Sequence, residues 1–230
     1  MNFGADIKIL IVGSTNTGKT SFVQRYTTGT FLNTYNATII SEYKYKILNI
    51  NNNIYRIHLW DLGGQDKNVY ISKLLIKDCN GIIIFSDIMK KNSIDEMLNW
   101  KNFLINYYDL TVFKEKTPIF GVYNKIDLLD SNNKIEIENF VDKFIENKNF
   151  ENNFKTSVKD NINIEETMNF LINRIIELFN ENNNKNNNKN NKNNNKNNKN
   201  NNNNNINGRE SIIINKNKNN FKEKKNENCC

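Results

Sequence analysis

The chain has 230 residues, enough for one ordinary domain plus an appendage. Its apolar share is 37% and its formal net charge +7, but from Glu181 onward the sequence is almost entirely Asn and Lys. Ten lysines and Arg209 in residues 181–230 face only Glu181, Glu210, Glu223 and Glu227, so the tail carries the whole charge excess. The remainder is formally neutral, which removes net charge as a reason to expect a nucleic-acid partner. Residues 1–180 can bury a core; residues 181–230 cannot offset their ordering entropy and are expected to form a disordered tail. Cys79, Cys229 and Cys230 make no disulfide framework, and a reduced compartment fits them. No apolar run approaches the roughly 18 residues of a membrane span. Met1–Asp6 lacks a basic segment followed by an apolar one, so no secretory signal is expected and the chain reads as cytosolic.

In chain order, Ile7–Val12 reads as a short buried strand, Gly13–Gly18 as a turn and Lys19–Thr27 as a helix. Glu42–Ile50 and Ile54–Trp60 alternate polar and apolar residues around Asn51-Asn52-Asn53, which predicts an antiparallel hairpin. Gly81–Phe85 predicts a second buried strand. Ser93–Tyr107 predicts an amphipathic helix with Met97, Trp100 and Leu104 on one stripe. The single proline, Pro118, opens a third buried strand over Ile119–Tyr123. A helix over Ile135–Asn147, a strand over Phe150–Thr156 and a helix over Ile164–Phe179 follow. Strands alternating with helices imply βαβ units, hence an α/β class with a mostly parallel sheet.

Three motifs carry chemistry. Gly13-Ser14-Thr15-Asn16-Thr17-Gly18-Lys19-Thr20, followed by Ser21, lies between a predicted strand and helix and has the P-loop pattern. Its glycines let the loop wrap a phosphate with amides pointing inward, at the positive end of the next helix. Lys19 can neutralise β- and γ-phosphate oxygens, and the Thr20 hydroxyl can ligate Mg²⁺. Asp61-Leu62-Gly63-Gly64-Gln65 ends a predicted strand. Asp61 is placed to hold Mg²⁺ through a water, Gly64 to offer an amide to the γ-phosphate, and Gln65 to orient an attacking water. Asn124-Lys125-Ile126-Asp127 follows a buried strand. The Asp127 carboxylate can accept from guanine N1–H and N2–H₂; adenine offers neither donor and would leave that charge unpaired. Asn133-Lys134-Ile135-Glu136 is a near-copy, but it enters a helix instead of leaving a strand. Ser157, Val158 and Lys159, after the last strand, can supply a backbone amide to guanine O6.

These motifs, in this order and at these separations, resemble the Ras superfamily of small GTPases over residues 6–180. The resemblance implies a P-loop NTPase fold with a six-stranded, mostly parallel sheet, five flanking helices, and the site at the carboxyl ends of the strands. It implies GTP/GDP and Mg²⁺ as ligands and slow hydrolysis of GTP to GDP and phosphate. Gln65 and Lys19 would be the catalytic pair; Thr20, Thr38 and Asp61 the metal ligands. Phe31 resembles the aromatic packed against guanine, Tyr35 the tyrosine that closes over the phosphates, and Thr38 the threonine that ligates Mg²⁺ when GTP is bound. Residues 35–43 would form switch I and residues 61–76 switch II, contacted by exchange factor, GTPase-activating protein and effectors. Some positions depart from the family. Thr15 and Asn16 fill places where Ras proteins carry glycine, and Thr15 crowds the place of an inserted arginine finger. Val158 replaces an alanine, Ile40 a glycine, Asp66–Tyr70 is unusual, and Gly63-Gly64 is more like the Arf branch.

The ending Cys229-Cys230 resembles the doubly geranylgeranylated terminus of the Rab branch, and it is not a Cys-a-a-X box. Two lipids meet the requirement for stable anchoring, and the basic tail adds weak attraction to an anionic leaflet. The resemblance therefore implies a monomeric, lipid-anchored switch at the cytoplasmic face of a membrane, with a cytosolic pool, a role in vesicle trafficking and no nucleic-acid partner. The Asn/Lys tract would be a spacer reaching on the order of 40 Å. Ile212-Ile213-Ile214 is either a docking island for the prenylation escort machinery or a chance cluster. His58 is expected as a surface strand residue. The rival from another class is a binding-only scaffold that holds GTP and barely hydrolyses it, favoured by Thr15 and opposed by Gln65.

Overall fold

In a computed structural model of the chain, residues 2–31, 38, 41–64, 75–107, 117–147 and 149–204 are described, with side chains for 3–184 among them. Two compact units divide it, Met1–Glu181 and Asn182–Cys230.

The first unit is built on strands β1 (Asn2–Gly13), β2 (Ser41–Ile50), β3 (Asn53–Leu62), β4 (Gly81–Asp87), β5 (Ile119–Asn124) and β6 (Asn152–Thr156). Their order in the sheet is β2-β3-β1-β4-β5-β6. Among the described strands, only the β2–β3 pair is antiparallel. Strand β1 begins earlier than its apolar run, because it pairs with the long β3 from Asn2↔Asn53 to Ile11↔Asp61, around an irregularity at Phe3/Ala5. The hairpin turn is Asn51-Asn52, both at positive φ (51° and 64°), the geometry a two-residue loop needs to match strand twist. Strand β6 is shorter than expected: Phe150 turns into the core before pairing starts at Asn152.

Four α-helices flank the sheet among the described residues: α1 (Lys19–Thr28), α2 (Lys91–Tyr107), α3 (Lys134–Glu146) and α4 (Ile164–Asn204). The resemblance implies five helices without placing the fifth. Alternation along β1 splits the core in two. Ile7, Ile9 and Ile11 face a cluster closed by Phe22 and Tyr26 of α1 and by Met168, Leu171 and Ile175 of α4. Leu10 and Val12 face the other, closed by Met97, Trp100 and Leu104 of α2 and Val141 and Phe144 of α3. Covered on both faces, β4 is buried at all seven positions, which explains its unbroken apolar reading.

The apolar positions of helix α4 end at Phe179, and its backbone is helical to Asn204. A helix nucleated by packed residues such as Leu171 and Ile175 extends one bond at a time without a second nucleation cost.

Candidate functional site

Strand β1 delivers the loop at its carboxyl end. Gly13 has φ +136°, and a Cβ there would collide with the Phe85 carbonyl of β4. Gly18 has φ +95°, and a Cβ there would collide with the Asn124 amide. Both glycines are therefore demanded by conformation and by space. Asn16 also lies in the left-handed region, φ 58°; asparagine tolerates that region, which is how the loop forms without a third glycine. Helix α1 then starts at Lys19 with no side-chain cap and no acidic residue in its first turn. Its first amides and its dipole are left for an anion.

Lys19 is 5% exposed, and its ammonium donates to the Gly13 and Ser14 carbonyls, both at 2.8 Å. Burial lowers its pKa to about 8, opposed by Asp61. Thr17 Oγ1 donates to the Ser14 carbonyl at 3.0 Å, and the Ser14 hydroxyl bonds the Glu96 carboxylate of α2. Gly64 packs on the loop so closely that a Cβ would overlap the Ser14–Thr15 backbone.

The three residues expected as metal ligands converge. The Thr20 hydroxyl lies 2.8 Å from that of Thr38 and 2.5 Å from Asp61 Oδ2. Asp61 is 1% exposed, and burial raises its pKa to about 6, against the Thr20 bond and Lys19. Its other oxygen, Oδ1, is buried with no hydrogen-bond partner among the described residues. A buried carboxylate oxygen without a donor costs free energy unless a cation takes it. Two hydroxyls and one carboxylate are hard oxygen donors, so the residues present fit Mg²⁺.

The side expected to hold the base is organised by Asn124, which is 2% exposed. Its Nδ2 donates to the Thr17 carbonyl at 2.9 Å, while its Oδ1 accepts from Thr156 Oγ1 at 3.1 Å and the Val158 amide at 3.2 Å. Asn124 thus ties the phosphate loop to the loop after β6. Ser157 Oγ donates to Asp127 Oδ1 at 2.7 Å and accepts from the Asp160 amide at 3.0 Å. Lys125 lies in the left-handed region, φ 73°, and its ammonium pairs with the buried Asp87 at 2.9 Å. Phe31 packs on the first core cluster and lies against the Arg25 guanidinium.

The structure therefore gathers Gly13 to Ser21, Thr38, Asp61, Gly64, Asn124, Lys125, Asp127 and Ser157 to Lys159 at one end of the sheet. Tyr35, Ile40, Gln65, Asp66–Tyr70, Ile212–Ile214, Cys229 and Cys230 lie outside the described residues. Glu96 and Asp87 were missed by sequence reasoning. Neither belongs to a motif, and their partners are 82 and 38 positions away. His58 is a surface strand residue as expected, bonded to Asp6 at 2.9 Å and Tyr43 at 2.7 Å.

The family model of the Ras family matches residues 8–177. Relatives include Ras-related protein Rab-12 of Mus musculus, 29% identical over 53% of this chain and 48% of the relative. Ras-related protein Rab-32 of Mus musculus is 33% identical over 41% of this chain and 43% of its own. Ras-related protein Rab-1 of Theileria annulata is 31% identical over 54% of each. The chain belongs to the Ras family, within the superfamily of small GTPases, and its likeness lies on the Rab branch. It spans about half the length of the curated relatives it matches. Among the described residues no helix is long and apolar enough to cross a membrane.

Proposed function

We propose that the chain is a Rab-type switch that binds guanine nucleotide with Mg²⁺ and slowly hydrolyses GTP, lipid-anchored at the cytoplasmic face of a membrane in vesicle traffic. The observation that carries this reading is the meeting of Thr20, Thr38 and the orphaned Asp61 oxygen beside a buried phosphate-loop lysine. Thr38 belongs to the segment assigned as switch I. A γ-phosphate and its metal would therefore hold that segment, and loss of the phosphate would release it. Guanine would be chosen by Asp127, with one oxygen held by Ser157 and a carboxylate edge turned to N1–H and N2–H₂.

In the reaction, a water oxygen bonds to the γ-phosphorus as the bond from phosphorus to the GDP oxygen breaks. The proton leaves with phosphate, and no side chain is acylated or phosphorylated. Gln65 would orient the water, while the Lys19 ammonium, exchanging carbonyl partners for phosphate oxygens, would offset charge on the leaving group. When bound, Mg²⁺ would be held by Thr20, Thr38 and Asp61 and would supply further charge neutralisation. Exchange factor, activating protein and effectors would read residues 35–43 and 61–76. Prenylation escort machinery would deliver lipids to Cys229 and Cys230 of a monomer.

The test is equilibrium binding of GTP, GDP and ATP with and without Mg²⁺, followed by single-turnover hydrolysis. GTP and GDP should bind far tighter than ATP. Hydrolysis should run on the order of 10⁻⁴–10⁻² per second and slow further in Gln65→Leu. Equal affinity for ATP and GTP would remove the reading. A rate unchanged in Gln65→Leu would favour the binding-only scaffold.

A further inference from the structure

Arg25 lies outside every motif, half-buried on the last turn of α1. Its guanidinium uses all three of its nitrogens on backbone carbonyls. Nε donates to the Val158 carbonyl at 3.0 Å, Nη2 to the Lys159 carbonyl at 2.8 Å and Nη1 to the Gly29 carbonyl at 2.9 Å. The Phe31 ring covers the guanidinium face, 5.5 Å from centroid to carbon. The position is fixed from the helix side as well, since the Gly29 amide caps the Arg25 carbonyl at 2.8 Å. An exposed arginine held only for solubility makes no such fork. This one grips a loop 133 and 134 residues away.

That loop carries the groups expected to read the base, and the grip has a directional consequence. In a trans peptide the C=O and N–H point in opposite directions. The unit joining Ser157 to Val158 is set by its N–H on Asn124 Oδ1. The next unit, joining Val158 to Lys159, is set by its C=O on Arg25. Its N–H, on Lys159, is thereby turned away from α1. The following unit is pinned at both ends, the Lys159 carbonyl on Arg25 and the Asp160 amide on Ser157 Oγ. Ser157 in turn holds Asp127.

We propose that Arg25 is a positioning residue for base recognition: by fixing the Val158–Lys159 peptide plane, it presents the Lys159 N–H to the carbonyl oxygen of the purine held by Asp127. Base reading is then divided. Asp127 reads the N1–H and 2-amino edge, and the amide oriented by Arg25 reads the 6-oxo group. Lysine cannot replace Arg25, because a single ammonium lacks the planar fork whose three nitrogens reach the Val158, Lys159 and Gly29 carbonyls. The inference rests on the guanine-nucleotide reading above.

The test uses the full chain and three diphosphates that differ at one position each: GDP, IDP without the 2-amino group, and 6-thio-GDP with a weaker acceptor at position 6. The parent is measured first. A parent that does not prefer GDP to ADP overturns the guanine reading and this inference with it. With that preference in place, Arg25→Ala is expected to bind GDP on the order of tenfold more weakly, the worth of one well-made hydrogen bond. Its preference for GDP over 6-thio-GDP should shrink by a similar factor, while its preference for GDP over IDP stays at the parent value. Arg25→Lys should behave as Arg25→Ala. Thermal melting of the nucleotide-free proteins separates a loop effect from a folding effect. Parent-like GDP affinity in Arg25→Ala, or both base preferences falling together, overturns the proposal while leaving the guanine reading intact.

Discussion

Tyr26 buries a hydroxyl that finds no partner among the described residues, 2% exposed in the cluster between the sheet, α1 and α4. Burial pushes its pKa far up, so the group is neutral at any working pH. Lys46 lies over the ring at 4.0 Å but spends its donors on the Tyr26 carbonyl and Glu165. Removing an unsatisfied hydroxyl removes its desolvation cost without opening a large cavity. Tyr26→Phe is therefore expected to raise stability by about 1–2 kcal/mol, read as a higher denaturation midpoint with an unchanged slope. Cys79 is buried too, and burial pushes its thiol up to about 11. The Cys229→Ser/Cys230→Ser variant should accordingly show no thiol reactive to a water-soluble reagent at pH 7.5 until it is unfolded. At the base site, Asp127→Asn should transfer preference from guanine to xanthine nucleotides, because an amide donates where xanthine offers a carbonyl. Competition between GDP and XDP measures this, and an unchanged ratio would detach Asp127 from the base.

At the scale of elements, α1 joins both halves of the site: its first turn carries Lys19 and Thr20, and its last carries Arg25. Thr20→Asn keeps a polar side chain but moves the oxygen away from Asp61 and Thr38. Mg²⁺-dependent GTP binding should fall far more than GDP binding, as titrations with and without chelator would show. Equal binding of both nucleotides in that variant would unseat Thr20 as a ligand. How far such elements can be read in sequence follows from the range of the forces that make them. Strands β1, β4 and β5 were legible because continuous apolar runs follow from burial on both faces. The hairpin was legible because Asn51-Asn52 is a local turn signal. The loop after β1 was legible as a tight turn because its backbone demands glycine at Gly13 and Gly18. Asn124 was legible as part of a motif, but not its links to Thr17, Thr156 and Val158. A motif carries the residue type but not which neighbours consume its bonds. The full extent of β1 depended on β3 as a partner, and the reach of Arg25 on a loop near the other end of the domain. Contacts of that separation leave no periodic trace.

For the whole molecule, charge and candidate site are segregated. The first unit supplies the site, and the basic excess and the two terminal cysteines belong to residues 181–230. Spread over that length, lysines worth about 1 kcal/mol each beside a bilayer cannot replace lipid. Changing one of Cys229 and Cys230 to Ser should weaken the membrane fraction, and changing both should abolish it. Fractionation together with mass spectrometry of the C-terminal peptide measures this; an unmodified peptide from membrane-bound protein would refute lipid anchoring. The Asn51-Asn52 turn bears on how that experiment is built. It is exposed, and it sits at the end of the sheet where β1 starts, opposite the end where Gly13 meets the phosphate loop. Exposed loop tips accept insertions that ordered strands do not. A fluorescent or epitope label spliced between Asn51 and Asn52 would leave β1 paired from Asn2 and the last two thiols uncapped. The protein could then be followed in living cells through a handle that touches neither the proposed chemistry nor the proposed lipid anchor.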